Sequence, residues 1–252
     1  MERMEERDDS MPYHQYQHFL SNSPWSHKAL IKQVGKDADA VMRKERQKTG
    51  KPTGLIIDES GHLKKGLLSV GVSRQYSGTA GKVDNCQVGV YSSLCTGHRS
   101  TLIDERLYLP DTWTEDAARC NKAGIPQADR TFKTKLELAL EMVDAARENQ
   151  INFDWIGGDG LYGHSYEFSR EIEARDLLFV LDVHKDQQVY LSEPELFIPE
   201  KKSARGRPPS CYQTLAKPTR VDTYAKQLAD DEWEKIRIRK TTKGWLKAWI
   251  HC

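Results

Sequence analysis

Within the first fifty positions, Tyr16, Phe19 and Leu20, and then Leu30, Ile31 and Val34, recur at helical spacing on either side of the polar turn from Ser21 to Trp25. This pattern predicts two or three short helices forming a small leading module over residues 1–50. A Gly/Pro break at Gly50 to Gly54 gives way to Leu55, Ile56 and Ile57, a short apolar run suited to a buried strand. Strand-like stretches follow at Ser69 to Tyr76, Asn85 to Leu94 and Thr101 to Leu109, separated by glycine-bearing turns that favour antiparallel hairpins. From Lys133 the period lengthens, and Leu136, Ala139, Leu140, Val143 and Ala146 mark one face of an amphipathic helix. Phe153 to Ile156 reads as a strand, Ser165 to Arg175 as a helix and Leu177 to Leu181 as a strand. The α/β core predicted over 54–190 is thus a mixed sheet flanked by helices. Beyond it, residues 191–252 comprise a basic insertion around Pro199 to Pro209, then strand alternation at Trp233 to Lys240 and Leu246 to Ile250, left incomplete at the end of the chain.

Composition narrows the function classes. With 30% charged residues, 38% hydrophobic ones and no apolar run near the ~20 residues of a membrane span, the chain reads as a cytoplasmic globular protein without a membrane partner. The charged start lacks the apolar stretch of a secretory signal. Cys86, Cys95, Cys120, Cys211 and Cys252 are never spaced as a zinc site, and read as reduced thiols. The net charge of +1 hides an uneven distribution. Lys201, Lys202, Arg205 and Arg207, then Arg237, Arg239 and Lys240 with Trp233, Trp245 and Trp249 interleaved, form a basic stretch suited to a nucleic-acid backbone. Lys64, Lys65 and Arg74 could also meet phosphate. A solvated face accounts for each of these equally well.

Two acids stand apart. Asp58 follows the Leu55 to Ile57 run, where an unpaired charge is costly and a cation would offset the cost. Asp159 follows a strand within Gly158 to Gly163, whose glycines allow close backbone approach. Alternation along the strand should aim Glu59 at the opposite face, which favours Asp58 over its neighbour. The element order is that of the RNase H-like fold, in which the first strand lies beside the one after the first helix and makes these two acids neighbours. Such a pair is a hard oxygen site for Mg²⁺ or Mn²⁺, and two such ions ~4 Å apart serve phosphodiester chemistry. A lone acid after a strand more often caps a turn or pairs with an arginine, but two in this strand order favour the metal.

Several ordered blocks then carry a resemblance: Leu55 to Gly66, Ser69 to Gly78, Gly81 to Val90, Leu102 to Pro110, Arg119 to Pro126, Phe132 to Leu140, Gly158 to Gly163 and Val183 to Asp186, with His18 to Trp25 in the leading region. Together they resemble insertion-sequence transposases of the DDE superfamily along nearly the whole chain. The resemblance implies metal-dependent nicking and strand transfer at transposon ends, with Asp58 and Asp159 as the first two acids of an Asp-Asp-Glu triad. It further implies DNA partners (terminal inverted repeats and target), a homo-oligomer when full length, and a nucleoid-associated location. No match to the family's third acid precedes Cys252, since Tyr166, Arg170 and Glu173 have a different spacing and precede the last strand. The expectation is therefore a chain truncated at its C-terminus. A second reading is a catalytically inactive remnant that binds DNA or an intact transposase. A third, a stand-alone nuclease, would need Asp84 or Asp104 as the missing acid.

Overall fold

The computed structural model describes residues 12–201, 207–241 and 244–250, and over 237–249 the description is of the backbone. Lys202 and Arg205 of the basic stretch lie outside the described residues.

Contacts along the chain define two compact units, one comprising residues 1–158 and 167–180 and the other 159–166 and 181–252. In the first, helices α1 (Tyr13–Ser21) and α2 (His27–Thr49) lead into the sheet. Ser26 caps α2 by accepting the Ala29 N–H, and Gly50 ends it at φ 69°, a left-handed turn that glycine adopts without a Cβ clash. Where two or three short helices were expected, α2 runs for 23 residues. It presents Gly35, Ala38, Asp39 and Met42 as one buried stripe and packs on the sheet.

The strands are β1 (Thr53–Leu63), β2 (Ser73–Ser77), β3 (Lys82–Thr96), β4 (Arg99–Leu107), β5 (Trp155–Gly158) and β6 (Leu178–Leu181). They form one mixed sheet in the order β2-β3-β1-β5-β6, with β4 also paired to β3. Long β3 organises it: β1 lies antiparallel along residues 86–96 on one side, while β2 and β4 share the other. β1 and β5 run parallel, in register from Gly54↔Trp155 to Ile57↔Gly158. This mixed architecture is consistent with the RNase H-like fold. The stretch from Ser69 differs from expectation, being strand only from Ser73. Gly71 there adopts φ 76° with an ideal Cβ position 2.9 Å from the Tyr108 carbonyl oxygen, so a turn replaces the first half of that strand. β1 differs too: it continues past Ile57 to Leu63 on its β3 side, so that Asp58 lies within the strand rather than after it.

Between β4 and the next long helix lie α3 (Asp111–Thr114) and α4 (Ala117–Lys122), which with Val72, Leu109 and Ile125 enclose Trp113 and Cys120 in a small satellite core. Trp113 donates its ring N–H to the Val72 carbonyl at 2.8 Å, and the Arg119 guanidinium lies 3.7 Å over its ring. Helix α5 (Lys135–Glu148) opens with a capping box: the Thr134 hydroxyl accepts the Glu137 N–H, and the Glu137 carboxylate accepts the Thr134 N–H. Its buried face is Leu138, Ala139, Met142, Val143 and Ala146, turned by part of a helical step from the expected stripe. These side chains belong to the same buried set as Leu55, Ile57, Val88, Val90, Leu94 and Ile156 of the sheet.

The second unit contains α6 (Gly160–Gly163), the short ribbon of β7 (Gln188–Val189) and β8 (Thr219–Arg220), α8 (Val221–Ala225) and the ribbon of β9 (Glu234–Thr241) and β10 (Gly244–Ile250). Helix α7 (Tyr166–Glu173) returns to the first unit, burying Phe168 and Ile172. Arg175, just beyond it, forks onto Asp144 of α5 at 2.8 and 2.9 Å, and these hydrogen bonds hold the Asp144 carboxyl below the usual carboxylate range.

A buried acid ties α2 to the strand-leading loop. Asp39 accepts the Asn152 backbone N–H at 3.0 Å and its side-chain N–H at 3.1 Å, and receives Arg43 at 3.0 Å. Asp39→Ala should therefore lower unfolding stability by about 2 kcal/mol in urea titrations, because the Asn152 amide loses its acceptor away from water. A loss below about 0.5 kcal/mol would show that water reaches this amide.

Candidate metal centre

The parallel ladder between β1 and β5 ends at Ile57↔Gly158, so the next residue on each strand is an aspartate, Asp58 on one and Asp159 on the other. Residues paired across a parallel ladder stay neighbours for the following position, and Asp159 is bonded directly to the last paired residue of β5. The register alone thus brings the two acids selected from the sequence to the carboxyl ends of adjacent strands. Asp159 has extended backbone and N-caps α6, its Oδ1 accepting the Leu161 N–H at 2.9 Å. That bond sets the orientation of the carboxylate.

Glu59 joins them, contrary to the expectation that alternation would hold it away. One carboxylate oxygen from each of Asp58, Glu59 and Asp159 lies within 4.8 Å of the others. The reason is reach: period two separates Cβ atoms, but the longer Glu59 stem can swing round the edge of β1 that β5 leaves unpaired after Ile57. Its Oε1 accepts a hydrogen bond from Lys135 Nζ at 3.1 Å. Its Oε2 is buried and has no hydrogen-bond partner. Lys135, in the first turn of α5, also lies 5.9 Å from the centre of the Tyr108 ring. Neither Glu59 nor Lys135 was selected from sequence. Adjacency to Asp58 was the available signal for the first; for the second, which depends on how α5 meets β1, the sequence carries none.

Asp84 and Asp104 are engaged elsewhere. Asp84 pairs with Lys82 at 2.9 Å, a hydrogen bond that lowers its pKa. Asp104 pairs with Arg106 at 2.7 Å, yet burial pushes its carboxyl up against that lowering influence. Neither belongs to the acidic group. Lys64 and Lys65 follow the far end of β1, about 20 Å along the strand from Asp58 at the rise of an extended chain, and exposed Arg74 faces Asn85 near that end of β3. Lys201 and Arg207 are exposed, and Arg237, Arg239 and Lys240 lie on β9 opposite Lys247, Leu246 and Trp245 of β10.

A model describing DDE superfamily endonucleases matches residues 1–245. The chain belongs to this endonuclease superfamily. It is also 30% identical over 178 residues to a protein of Microchaete diplosiphon described as a probable transposase for insertion sequence element IS701, a match that covers 68% of this chain. The chain spans 41% of that relative's length. No solved structure matches. Among the described residues, no helix is long and apolar enough to cross a membrane.

For a DDE endonuclease the donor set is chemically apt. Three carboxylates supply hard oxygen ligands of the kind Mg²⁺ and Mn²⁺ take, and the orphaned Glu59 Oε2 is a buried acceptor that a cation would satisfy. The capping role of Asp159 is separable from its charge. Asp159→Asn should keep wild-type stability in EDTA, since asparagine caps as well as aspartate, whereas Asp159→Ala should lose about 1 kcal/mol. Equal melting of the two variants would mean that the cap contributes nothing.

Proposed function

We propose that this chain supplies the catalytic centre of an insertion-sequence transposase, performing metal-dependent phosphoryl transfer, nicking and strand transfer on DNA at element ends. The observation that supports this most is the parallel β1–β5 register, which sets Asp58 and Asp159 side by side at the strand ends of a DDE-family sheet.

In this reading Asp58 and Asp159 would hold the divalent cation, Mg²⁺ or Mn²⁺. When bound, such an ion polarises a phosphodiester oxygen and lowers the pKa of water. The chain contributes rigidity: Asp58 is fixed between β3 and the end of β5, while Asp159 is oriented by its bond to the Leu161 N–H. Lys64, Lys65, Arg74, Lys201, Lys202, Arg205, Arg207, Arg237, Arg239 and Lys240 would neutralise DNA phosphates, both at the terminal inverted repeats and on target DNA. Such phosphate contacts would flank the cleaved bond and fix register rather than take part in chemistry. The full-length enzyme would act as a homo-oligomer at the nucleoid.

Nicking of a supercoiled plasmid carrying the element ends, in Mg²⁺ or Mn²⁺, tests this. The wild-type chain should nick, EDTA should stop it, and Asp58→Asn and Asp159→Asn should each reduce nicking to background with folding unchanged by circular dichroism. Nicking that survives both substitutions would contradict the proposal. A wild-type chain that binds metal and DNA without nicking would favour the non-catalytic reading.

A further inference from the structure

We infer that the loop joining β1 to β2 is a DNA wedge, in which Leu67 and Leu68 enter a base step of a duplex that Lys64 and Lys65 hold by its phosphates. The inference rests on the reading of the chain as a protein that acts on DNA, and not on its metal centre. Leu67 and Leu68 are 67% and 83% exposed, although the same loop turns Val70 and Val72 into the satellite core around Trp113. The backbone that carries them is pinned on both sides. The Lys64 N–H donates to the Asn85 carbonyl at 2.9 Å, and the Asn85 side-chain amide donates to the carbonyls of Lys64 at 2.7 Å and Gly66 at 2.9 Å. Arg119 of α4, lying over the Trp113 ring, donates to the Leu67 carbonyl at 2.8 Å.

A single exposed leucine is ordinary, but two neighbours held outward on a backbone fixed at Lys64, Gly66 and Leu67 form a preorganised apolar tip. The Arg119 guanidinium covers the Trp113 ring and ties down the Leu67 carbonyl, so the leucine side chains stay outside the small core. Charge selects the partner. From Ser60 to Val83 the chain carries no acid, while Lys64, Lys65, Arg74 and Lys82 are basic, and the next acid, Asp84, is bonded to Lys82. Lys64 and Arg74 lie opposite Asn85 from either side of β3, so cations flank the root of the loop. An apolar tip between cations matches a duplex, whose phosphates attract the lysines and whose base stack accepts leucine as a wedge at a kinked step. Holding the tip rigid removes the ordering cost that a mobile loop would meet on insertion. Asn85 and Arg119 are positioning residues, acting on DNA through the loop.

The test uses the whole chain in EDTA, with duplex DNA of the element end carrying 2-aminopurine at successive positions and a donor–acceptor pair at its termini. Wild type should raise the fluorescence at one step, as that base unstacks, and bend the duplex by roughly 20–90°. Leu67→Ser with Leu68→Ser should lose both signals while melting as wild type, because the two side chains are exposed; Leu67→Met with Leu68→Met should keep them. Lys64→Gln and Lys65→Gln should each lower the salt dependence of binding by about one phosphate contact. Unstacking and bending that survive in the double serine variant would overturn the inference, as would a wild-type complex with no unstacked step. A double serine variant that changes only the oligomeric state would overturn it in favour of a contact between copies of the chain. Failure of the wild type to bind the duplex would overturn the DNA reading as well, whereas lost nicking with unstacking intact would count against the metal centre alone.

Discussion

The parallel pairing of β1 with β5 is the constraint on which the rest of the candidate centre depends. The ladder between the two strands stops at Ile57↔Gly158, and each continues into an aspartate. A slip of one residue would turn every β5 side chain to the other face of the sheet and take Ile156 out of the core. The apolar core therefore enforces the register, and the register places the acids. The antiparallel half of the sheet holds β1 from its other side through Leu63, so Asp58 is anchored in a continuous ladder although β5 has already ended beside it.

Electrostatics then decide what such a place is good for. Three carboxylates gathered at one strand edge repel one another, and Lys135 offsets part of that repulsion by bonding Glu59 Oε1. Asp84 and Asp104 lie outside this group, each paired with a basic residue two positions away in sequence, Lys82 and Arg106. The chain belongs to the DDE endonuclease superfamily, and the proposed reading puts a divalent ion at this group.

Much of this was legible in the order of elements. Leu55 to Ile57 and Trp155 to Gly158 announce buried strands, the stretch between them contains the long helix, and that order makes the two strands neighbours. What escaped depends on side-chain reach and on three-dimensional packing. Glu59 obeys strand alternation at its Cβ, yet one of its carboxylate oxygens lies within 4.8 Å of one from Asp58. Lys135 looks like any solvated residue of an amphipathic helix until α5 is laid across the sheet. The stretch from Ser69 to Tyr76 reads as strand, but Val72 joins the satellite core around Trp113 from a turn, a role that no local pattern encodes.

The most direct measurement is a crystal structure of the chain soaked in Mn²⁺, with anomalous scattering used to find the ion. The account predicts a peak bound by Asp58 and Asp159 at oxygen-ligand distances, at the level where β5 leaves the sheet. A well-diffracting crystal in which Mn²⁺ binds only elsewhere, or leaves both aspartates unliganded at saturating concentration, would contradict it.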